Sequence, residues 1–368
     1  MTEARICYIS PLSIHTYRWV EAFTQKNYEI TLITDSRTWV APRIHFIPVY
    51  VLPPLTKRTL LKRLLPNMLT ITRLLQKIKP DIVNLHVQHY YSPTIILNKL
   101  PFILTSWGIE VLTLPDTNIF LKTLAKIAAT KAHTIIADAK CLKEIWVQTG
   151  VPESKIKVVP FGVDMHLFNP KIDGSIVRDE LKIKEDDIVI ISNRAFYNNQ
   201  YNIECLVNAI PLILERHPNV KFILKGAGPL ETYLKSLVKK LDVSQHVRFV
   251  GLVPYNEMAQ YLKASDIYVS TCFVDSTSVS LLEAMACGLP PVVTDIPGNT
   301  EWITNGRNGL LYPPKDFAAL AEKIVQLIEN PTQRKLYGQR CNKIIKQKAT
   351  WEKSVAEVEK IYKACLEL

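Results

Sequence analysis

Residues 275–297 read DSTSVSLLEAMACGLPPVVTDIP, and the rest of the chain is organised around this stretch. A polar loop of Asp275, Ser276, Thr277 and Ser278 opens a short helix, which stops at Gly288, a residue suited to the left-handed turn that ends helices. Residues 289–294 (LPPVVT) then read as a buried strand. Ser280 and Glu283 have capping-box spacing, so the helix starts within a residue or two of Ser278. A helix N-terminus approached by a polar loop offers unpaired N–H groups and a partial positive charge, which suit a phosphate. Asp275 precedes that end and Glu283 lies about one turn inside it. One carboxylate then faces a ligand at the helix mouth while the other reaches a hydroxyl beside it. The same residues also describe a capped helix with two solvated acids, and the stretch alone leaves both readings open.

The chain has 368 residues, enough for two domains that each bury a core. With 48% hydrophobic and 21% charged residues it is globular, not disordered. It has no apolar run of the ~18 residues a membrane span needs. The opening MTEARICYIS carries an acid and passes straight into a strand-like run, unlike a secretory signal. Seven cysteines, odd in number and never in C-x-x-C spacing, argue for reduced thiols in a cytoplasmic protein and against a zinc site. The formal charge of +11 fits nucleic acid, an anionic membrane surface or phosphorylated substrates. No basic motif interleaved with aromatics supports nucleic acid.

Residues 5–9 and 28–34 are strands flanking an amphipathic segment at 16–23, a β-α-β opening typical of a parallel sheet. The loop between them, SPLSIH, lacks G-x-G-x-x-G, which counts against a dehydrogenase. Ser13, His15 and Arg18 beside it either face a cleft beyond the strand ends or simply cap a helix and cover a surface. Residues 55–80 carry seven basic residues and no acid, with leucine and isoleucine at helical spacing and Pro66 expected to separate two helices. Such a stretch lies on an anionic bilayer or serves as an ordinary solvated helix. The strand at 81–85 ends in His86 and His89, and the strand at 101–105 ends in Trp107 and Glu110, so these four side chains share one wall. His86 and His89 have no matching acid cluster, so no metal site is expected.

The first domain ends near FGVD and FNP, and a second β-α-β series starts with the strand at 188–192. Arg194 follows that strand directly, and the next strand, 220–224, ends in Lys225, Gly226, Ala227 and Gly228. Those glycines permit close backbone approach to a ligand. Arginine grips phosphate through paired N–H donors. Arg194, the turn at 226–228 and the helix mouth at Ser278 therefore suggest a diphosphate pocket.

Nine segments together resemble the GT-B glycosyltransferases of family 4: SPLSIHTYRW, LHVQHYY, TSWGIEV, VVPFGVDMHLFNP, SNRAFYNNQYNI, KGAGPL, VRFVGLVP, DSTSVSLLEAMACGLP and NGRNGLLY. The resemblance implies an α/β fold with two Rossmann-like domains facing across a cleft, residues 1–170 on the acceptor side and 171–345 binding a nucleotide-sugar. A C-terminal helix, 346–368, would cross back to the first domain. By this resemblance Glu283 would bond the ribose and Asp275 the donor-sugar hydroxyls near the reacting carbon. Arg194 and the amides of Thr277, Ser278 and Val279 would hold the diphosphate, and the base would lie near Val253. His86 and Trp107 would join Asp275 at the reacting centre, with Ser13, His15, His89 and Glu110 towards the acceptor. The family retains anomeric configuration without a metal or other cofactor, the nucleotide-sugar being a co-substrate. The implied acceptor is a glycan, a lipid-linked molecule or a small molecule, and the protein would be cytoplasmic or peripheral on the inner membrane face through residues 55–80.

Three positions depart from the family pattern. The first acid of its E-x7-E is Asp275, its lysine five residues after the arginine is Asn199, and the histidine before the glycine of the first-domain loop is Trp107. Lys225 is a candidate to replace the missing lysine. Two other readings remain open at this level: a sugar-nucleotide 2-epimerase, and an inactive homologue that binds the nucleotide-sugar.

Overall fold

The computed structural model describes residues 4–35, 44, 46–54, 60–86, 91–116, 119–197 and 199–367, with residues 60, 61, 109, 120 and 199 described by backbone alone. The chain divides into two compact units, Met1–Pro160 with Val355–Leu368, and Phe161–Ser354.

The first unit holds strands β1 (Arg5–Ile9), β2 (Glu29–Thr34), β3 (Val49–Val51), β4 (Ile82–His86), β5 (Phe102–Ser106), β6 (Thr134–Ala137) and β7 (Ile156–Val158). They form one parallel sheet in the order β3-β2-β1-β4-β5-β6-β7. The second unit holds β8 (Ile188–Ser192), β9 (Val220–Lys225), β10 (Val247–Gly251), β11 (Ile267–Ser270), β12 (Pro291–Thr294) and β13 (Leu310–Tyr312), also parallel, in the order β10-β9-β8-β11-β12-β13. Both sheets follow the Rossmann order, so each has a point where the strand order reverses: between β1 and β4, and between β8 and β11. Ligands in such sheets bind beyond the strand carboxyl ends at that point. The expected α/β class with two Rossmann-like sheets is the one found.

Near-continuous apolar strands are what a sheet buried on both faces requires. On β1, Cys7 and Ile9 join one core with Val83, Leu85 and Leu104. Tyr8 points the opposite way, as the two-residue period of a strand dictates. There its hydroxyl lies 2.7 Å from that of Tyr362, on helix Trp351–Leu366. Asn84 Nδ2 also donates to the Tyr362 hydroxyl at 2.6 Å, and Thr105 Oγ1 donates to Asn84 Oδ1 at 2.8 Å. The rings of Phe23 and Tyr28 close round Tyr362, with centroids 4.7 and 6.3 Å away. Three adjacent strands are thus tied to the C-terminal segment through hydroxyls and an amide that satisfy one another, as buried polar groups must.

One expectation is corrected. Pro66 does not separate two helices, because Leu60–Ile78 is a single helix with Pro66 inside it. Proline removes one N–H from the helix interior, and Pro66 and Lys62, whose carbonyl is freed, both lie on the exposed side. The inner side is held by burial of Ile71 and Leu75, and by Asn67 Nδ2, which donates to Pro53 O and Tyr91 Oη at 2.9 Å each.

Candidate functional site

In the second unit, the switch point is where β8 delivers Arg194 and β11 delivers the loop containing Asp275. Helix Val279–Ala286 begins with Ser278 as its N-cap, the Ser278 Oγ accepting from Leu281 N at 3.4 Å. The capping-box expectation is therefore displaced: Ser280 lies inside the first turn, and Glu283 is beyond the position that closes a box on Ser278. The end of the helix is as expected. Gly288 has φ +78°, its N–H bonds Met285 O at 3.1 Å, and Leu289 N bonds Ala284 O at 3.0 Å. This is the Schellman pattern, which a left-handed glycine permits. At the other end, the N–H groups of Val279 and Ser280 have no intrahelical carbonyl to bond and point out of the helix mouth.

Arg194 is 8% exposed and lies against that mouth. Its Nη1 donates to Ser278 Oγ at 2.6 Å and Ser280 Oγ at 3.0 Å, and its Nη2 to Asp275 Oδ2 at 2.5 Å. The guanidinium carbon stands 4.5 Å from the centre of the Tyr201 ring, a cation–π contact. Tyr268 braces Ser280 through a hydroxyl pair at 2.8 Å, and burial pushes that phenol up to about 12, so it is neutral. Sequence reasoning missed Ser280 as a partner of Arg194, and missed Tyr201 and Tyr268 altogether. The aromatic residues just after β8 and in β11 were the available signal.

The two glycines after β9 accommodate a neighbouring stretch of the chain. Gly226 and Gly228 have φ +157° and +153°, and a Cβ on either would run into backbone atoms of residues 194–197. They let the 226–230 turn clasp the Arg194 segment, with Phe196 N bonding Ala227 O and Leu230 N bonding Phe196 O, each at 3.0 Å. Close approach is to the protein's own backbone. Gly298 plays the same part from the other side, and sequence reading missed it. A Cβ there would overlap the carbonyl oxygens of Asp275 and Ser276.

The remaining predicted residues of this unit surround the same strand ends. Thr277 and Ser278 are buried in the loop, and Glu283 is 4% exposed on the helix it opens. Lys225 is half-buried on the sheet face of Ile223, which packs with Leu281 and Leu282 of that helix. Burial lowers the Lys225 pKa, with the Glu283 carboxylate acting in the opposite direction. Val253 is half-buried just beyond β10. The side chain of Asn199 lies outside the described residues.

In the first unit the switch point gathers a second group. Ser10 Oγ lies 3.0 Å from His86 Nδ1, and the Trp107 ring stands 4.6 Å from that of His86 and 5.9 Å from that of His15. Burial lowers the His86 pKa to about 3; burial, reinforced by Arg18, lowers that of His15 to about 4. Both imidazoles are therefore neutral at pH 7. Ser13 caps helix Ile14–Gln25 through Thr16 N at 3.1 Å, as the plainer of its two readings has it. Glu110 Oε1 accepts from Trp107 N at 2.7 Å, and burial raises its pKa. His89 lies outside the described residues.

Two family models match this chain: "Glycosyl transferase 4-like" over residues 5–139 and "Glycosyl transferases group 1" over residues 175–351. The chain belongs to the group 1 glycosyltransferases. An uncharacterised glycosyltransferase of Methanocaldococcus jannaschii is 28% identical over 261 residues, 69% of this chain and 65% of the relative. A GDP-mannose-dependent monoacylated alpha-(1-6)-phosphatidylinositol monomannoside mannosyltransferase of Corynebacterium glutamicum is 28% identical over 203 residues, 53% of this chain and 52% of the relative. This chain thus matches less than two thirds of the length of either relative. Among solved structures, Anabaena HepE in complex with UDP-glucose shares the fold with a TM-score of 0.82 at 17% identity, covering 98% of this chain and 100% of that one.

Proposed function

We propose that the protein is a retaining glycosyltransferase that moves a sugar from a nucleoside-diphosphate sugar to a glycan or lipid-linked acceptor. The observation that carries this reading is Arg194 clamped against the N-terminus of helix Val279–Ala286 at the switch point of the second sheet. As the glycosidic bond breaks, its electron pair goes to the diphosphate oxygen, and fixed donors aimed at that growing charge lower the barrier. The acceptor oxygen attacks the same face of the sugar, and its proton passes to the leaving diphosphate. Glu283 takes the ribose hydroxyls. Among the described residues no group of three or more His, Cys, Asp or Glu could hold a metal ion. The UDP-glucose bound by HepE makes the uridine series the first to try.

The test is thermal unfolding of wild type and Glu283→Ala with UDP, GDP, ADP and their sugar conjugates in EDTA. A ligand at 100 times its Kd stabilises the native state by about 2.7 kcal/mol, so one series should raise the midpoint of wild type and leave the variant unmoved. No shift of wild type with any series rejects the donor reading. Release of nucleoside diphosphate only when acceptor is present separates transfer from epimerisation.

An anionic lipid surface is the second part of the proposal. Helix Leu60–Ile78 exposes Lys62, Arg63, Arg73 and Lys77, and beside them Leu65 and Leu69 at 63% and 53%. Exposed leucines among cations, with no acid in the helix, match a headgroup layer. The lipid acceptor named for the Corynebacterium relative agrees with such a location. Among the described residues no helix is long and apolar enough to cross a membrane. Wild type is expected to pellet with phosphatidylglycerol vesicles and not with phosphatidylcholine ones, and Leu65→Glu/Leu69→Glu to remain in the supernatant. Wild type left in the supernatant with both vesicles rejects the membrane partner.

A further inference from the structure

Ile119 and Leu97 are the most exposed large apolar side chains among the described residues, at 79% and 78%, and they sit at opposite ends of one layer. Helices Leu60–Ile78, Ser92–Leu97 and Ile119–Lys131 cover one face of the first sheet, where Ile71, Leu75, Ile95, Ala125 and Ala128 share a core. Helix Leu60–Ile78 finishes beside the amino ends of the strands, since Asp81 N, three residues on, bonds Arg5 O at 2.8 Å. Helix Ile119–Lys131 finishes there too, with His133 N on Phe102 O at 2.8 Å. Their first turns therefore lie at the carboxyl end of the sheet, the end that carries His86 and Trp107. Leu97, four residues before the Pro101 carbonyl that Val83 N bonds at 3.0 Å, lies at the amino end.

Helix Leu60–Ile78 overshoots the sheet. Its 19 residues rise about 28 Å, whereas the five of β4 span about 16 Å. Asn67 marks the level of the strand ends. It bonds Pro53 O, two residues past β3, and Tyr91 Oη, which itself donates to Asp35, just past β2, at 2.9 Å. Lys62, Arg63 and Leu65 precede that level and are all exposed. At the same end Ile119 opens its helix, with Lys122 half-buried a turn later. Neither helix contains an acid, although Asp116 is exposed just ahead of the second. Also at this end, Asp35 and Asp138 are buried and Glu110 is half-buried. At the amino end, by contrast, Glu29 opens β2, Asp81 precedes β4 and Glu153 precedes β7, the first and last of them exposed.

Resting on the lipid-surface reading above, we propose that the first unit meets an anionic bilayer along the rim of Lys62, Arg63, Leu65 and Ile119, with the carboxyl end of its sheet turned to the membrane. Aliphatic carbons then enter the boundary of the acyl chains while the ammonium and guanidinium groups stay with the phosphates. Leu69, one turn below Leu65, lies at the edge of the contact. The exposed acids of the amino end are kept away from the anionic headgroups. Lipid headgroups come to the strand ends of His86 and Trp107, which a layer lying flat on its helices would not achieve.

The test compares Ile119 with Leu97, which is equally exposed at the opposite end. Ile119→Glu should lower partition onto phosphatidylglycerol vesicles about tenfold or more, the share of one apolar side chain withdrawn from water. Leu97→Glu, with the same change of charge, should partition like wild type. Leu65→Cys, Leu97→Cys and Ile119→Cys, each labelled with the dye NBD, report the contact directly, because the native cysteines are all buried. Vesicles should shift the dye emission to the blue at 65 and 119 and leave it unchanged at 97. Equal losses in Ile119→Glu and Leu97→Glu, or a blue shift at 97, mean that the layer lies flat and overturn the proposal. So does wild-type partition of Ile119→Glu. Wild type left in solution with phosphatidylglycerol and phosphatidylcholine vesicles alike overturns the lipid-surface reading first, and the proposal with it.

Discussion

Gly298→Ala is expected to abolish nucleotide binding although residue 298 carries no ligand-binding group. A Cβ at this position meets the carbonyl oxygens of Asp275 and Ser276 and the carbonyl carbon of Ser276, all backbone atoms with no rotamer to escape into. Neither partner is free to retreat. The short helix Pro297–Thr300 is tied to β12 through Asn299 Nδ2, which donates to Thr294 O at 2.9 Å and Thr294 Oγ1 at 3.1 Å. The loop is held by Thr294 Oγ1 on Cys272 O at 2.6 Å, Phe273 N on Gln200 O at 2.9 Å and Gln200 Nε2 on Val274 O at 3.0 Å. Overpacking a site that cannot relax costs about 1–3 kcal/mol. In a unit of this size that lowers the thermal midpoint by roughly 2–4 °C for each kcal/mol. The loop that carries Asp275, Thr277 and Ser278 is what must shift, so binding should fall further than stability. Gly306→Ala is the contrast, because Gly306, unlike Gly298, has positive φ, +73°, but a Cβ there meets nothing within 4 Å. It should lose only the strain of a left-handed alanine, about 1–2 kcal/mol, and bind nucleotide normally. A Gly298→Ala variant that binds as tightly as wild type would show that this seat does not set the loop.

The parts of this protein that were legible in the sequence are those set by short-range periodicity. Alternation and apolar runs placed the strands, and β-α-β succession gave two parallel sheets. Gly288 marked the end of the site helix, since a left-handed turn has so few other candidates. Reading failed where distant segments decide the outcome. Pro66 looks like a helix break from its own neighbours, but Ile71, Leu75 and the Asn67 side chain carry the helix through it. Ser280 and Glu283 have capping-box spacing, yet Arg194, 86 residues away from Ser280 in sequence, claims that serine instead. Gly226 and Gly228 were visible as glycines, but that they accommodate the backbone of residues 194–197 depends on two strands lying side by side. The ion pair of Arg194 with Asp275 spans 81 residues and leaves no local trace at all.

Arg194→Leu is expected to lose both stability and transfer, for two separable reasons. The stability loss comes from what is left behind. Asp275 has a side chain only 18% exposed, and without the guanidinium its carboxylate remains there with only Ser276 N donating to it among the described residues. Breaking a buried pair by removing one partner costs about 3–5 kcal/mol, and partial exposure puts this case near the lower figure. The catalytic loss comes from the leaving diphosphate, which no longer finds the guanidinium. Removing one preorganised donor lowers kcat by about 10²–10³. Adding Asp275→Asn to Arg194→Leu tells the two apart. The amide carries no charge, so urea unfolding should recover much of the lost stability, while release of nucleoside diphosphate in the presence of acceptor stays as low as in the single variant. If the double variant is no more stable than the single one, the unpaired carboxylate was not the cause of the loss. If transfer survives Arg194→Leu, the diphosphate is held elsewhere. Lys225, a half-buried cation at the end of β9 whose ammonium feels the Glu283 carboxylate, is then the residue to substitute next.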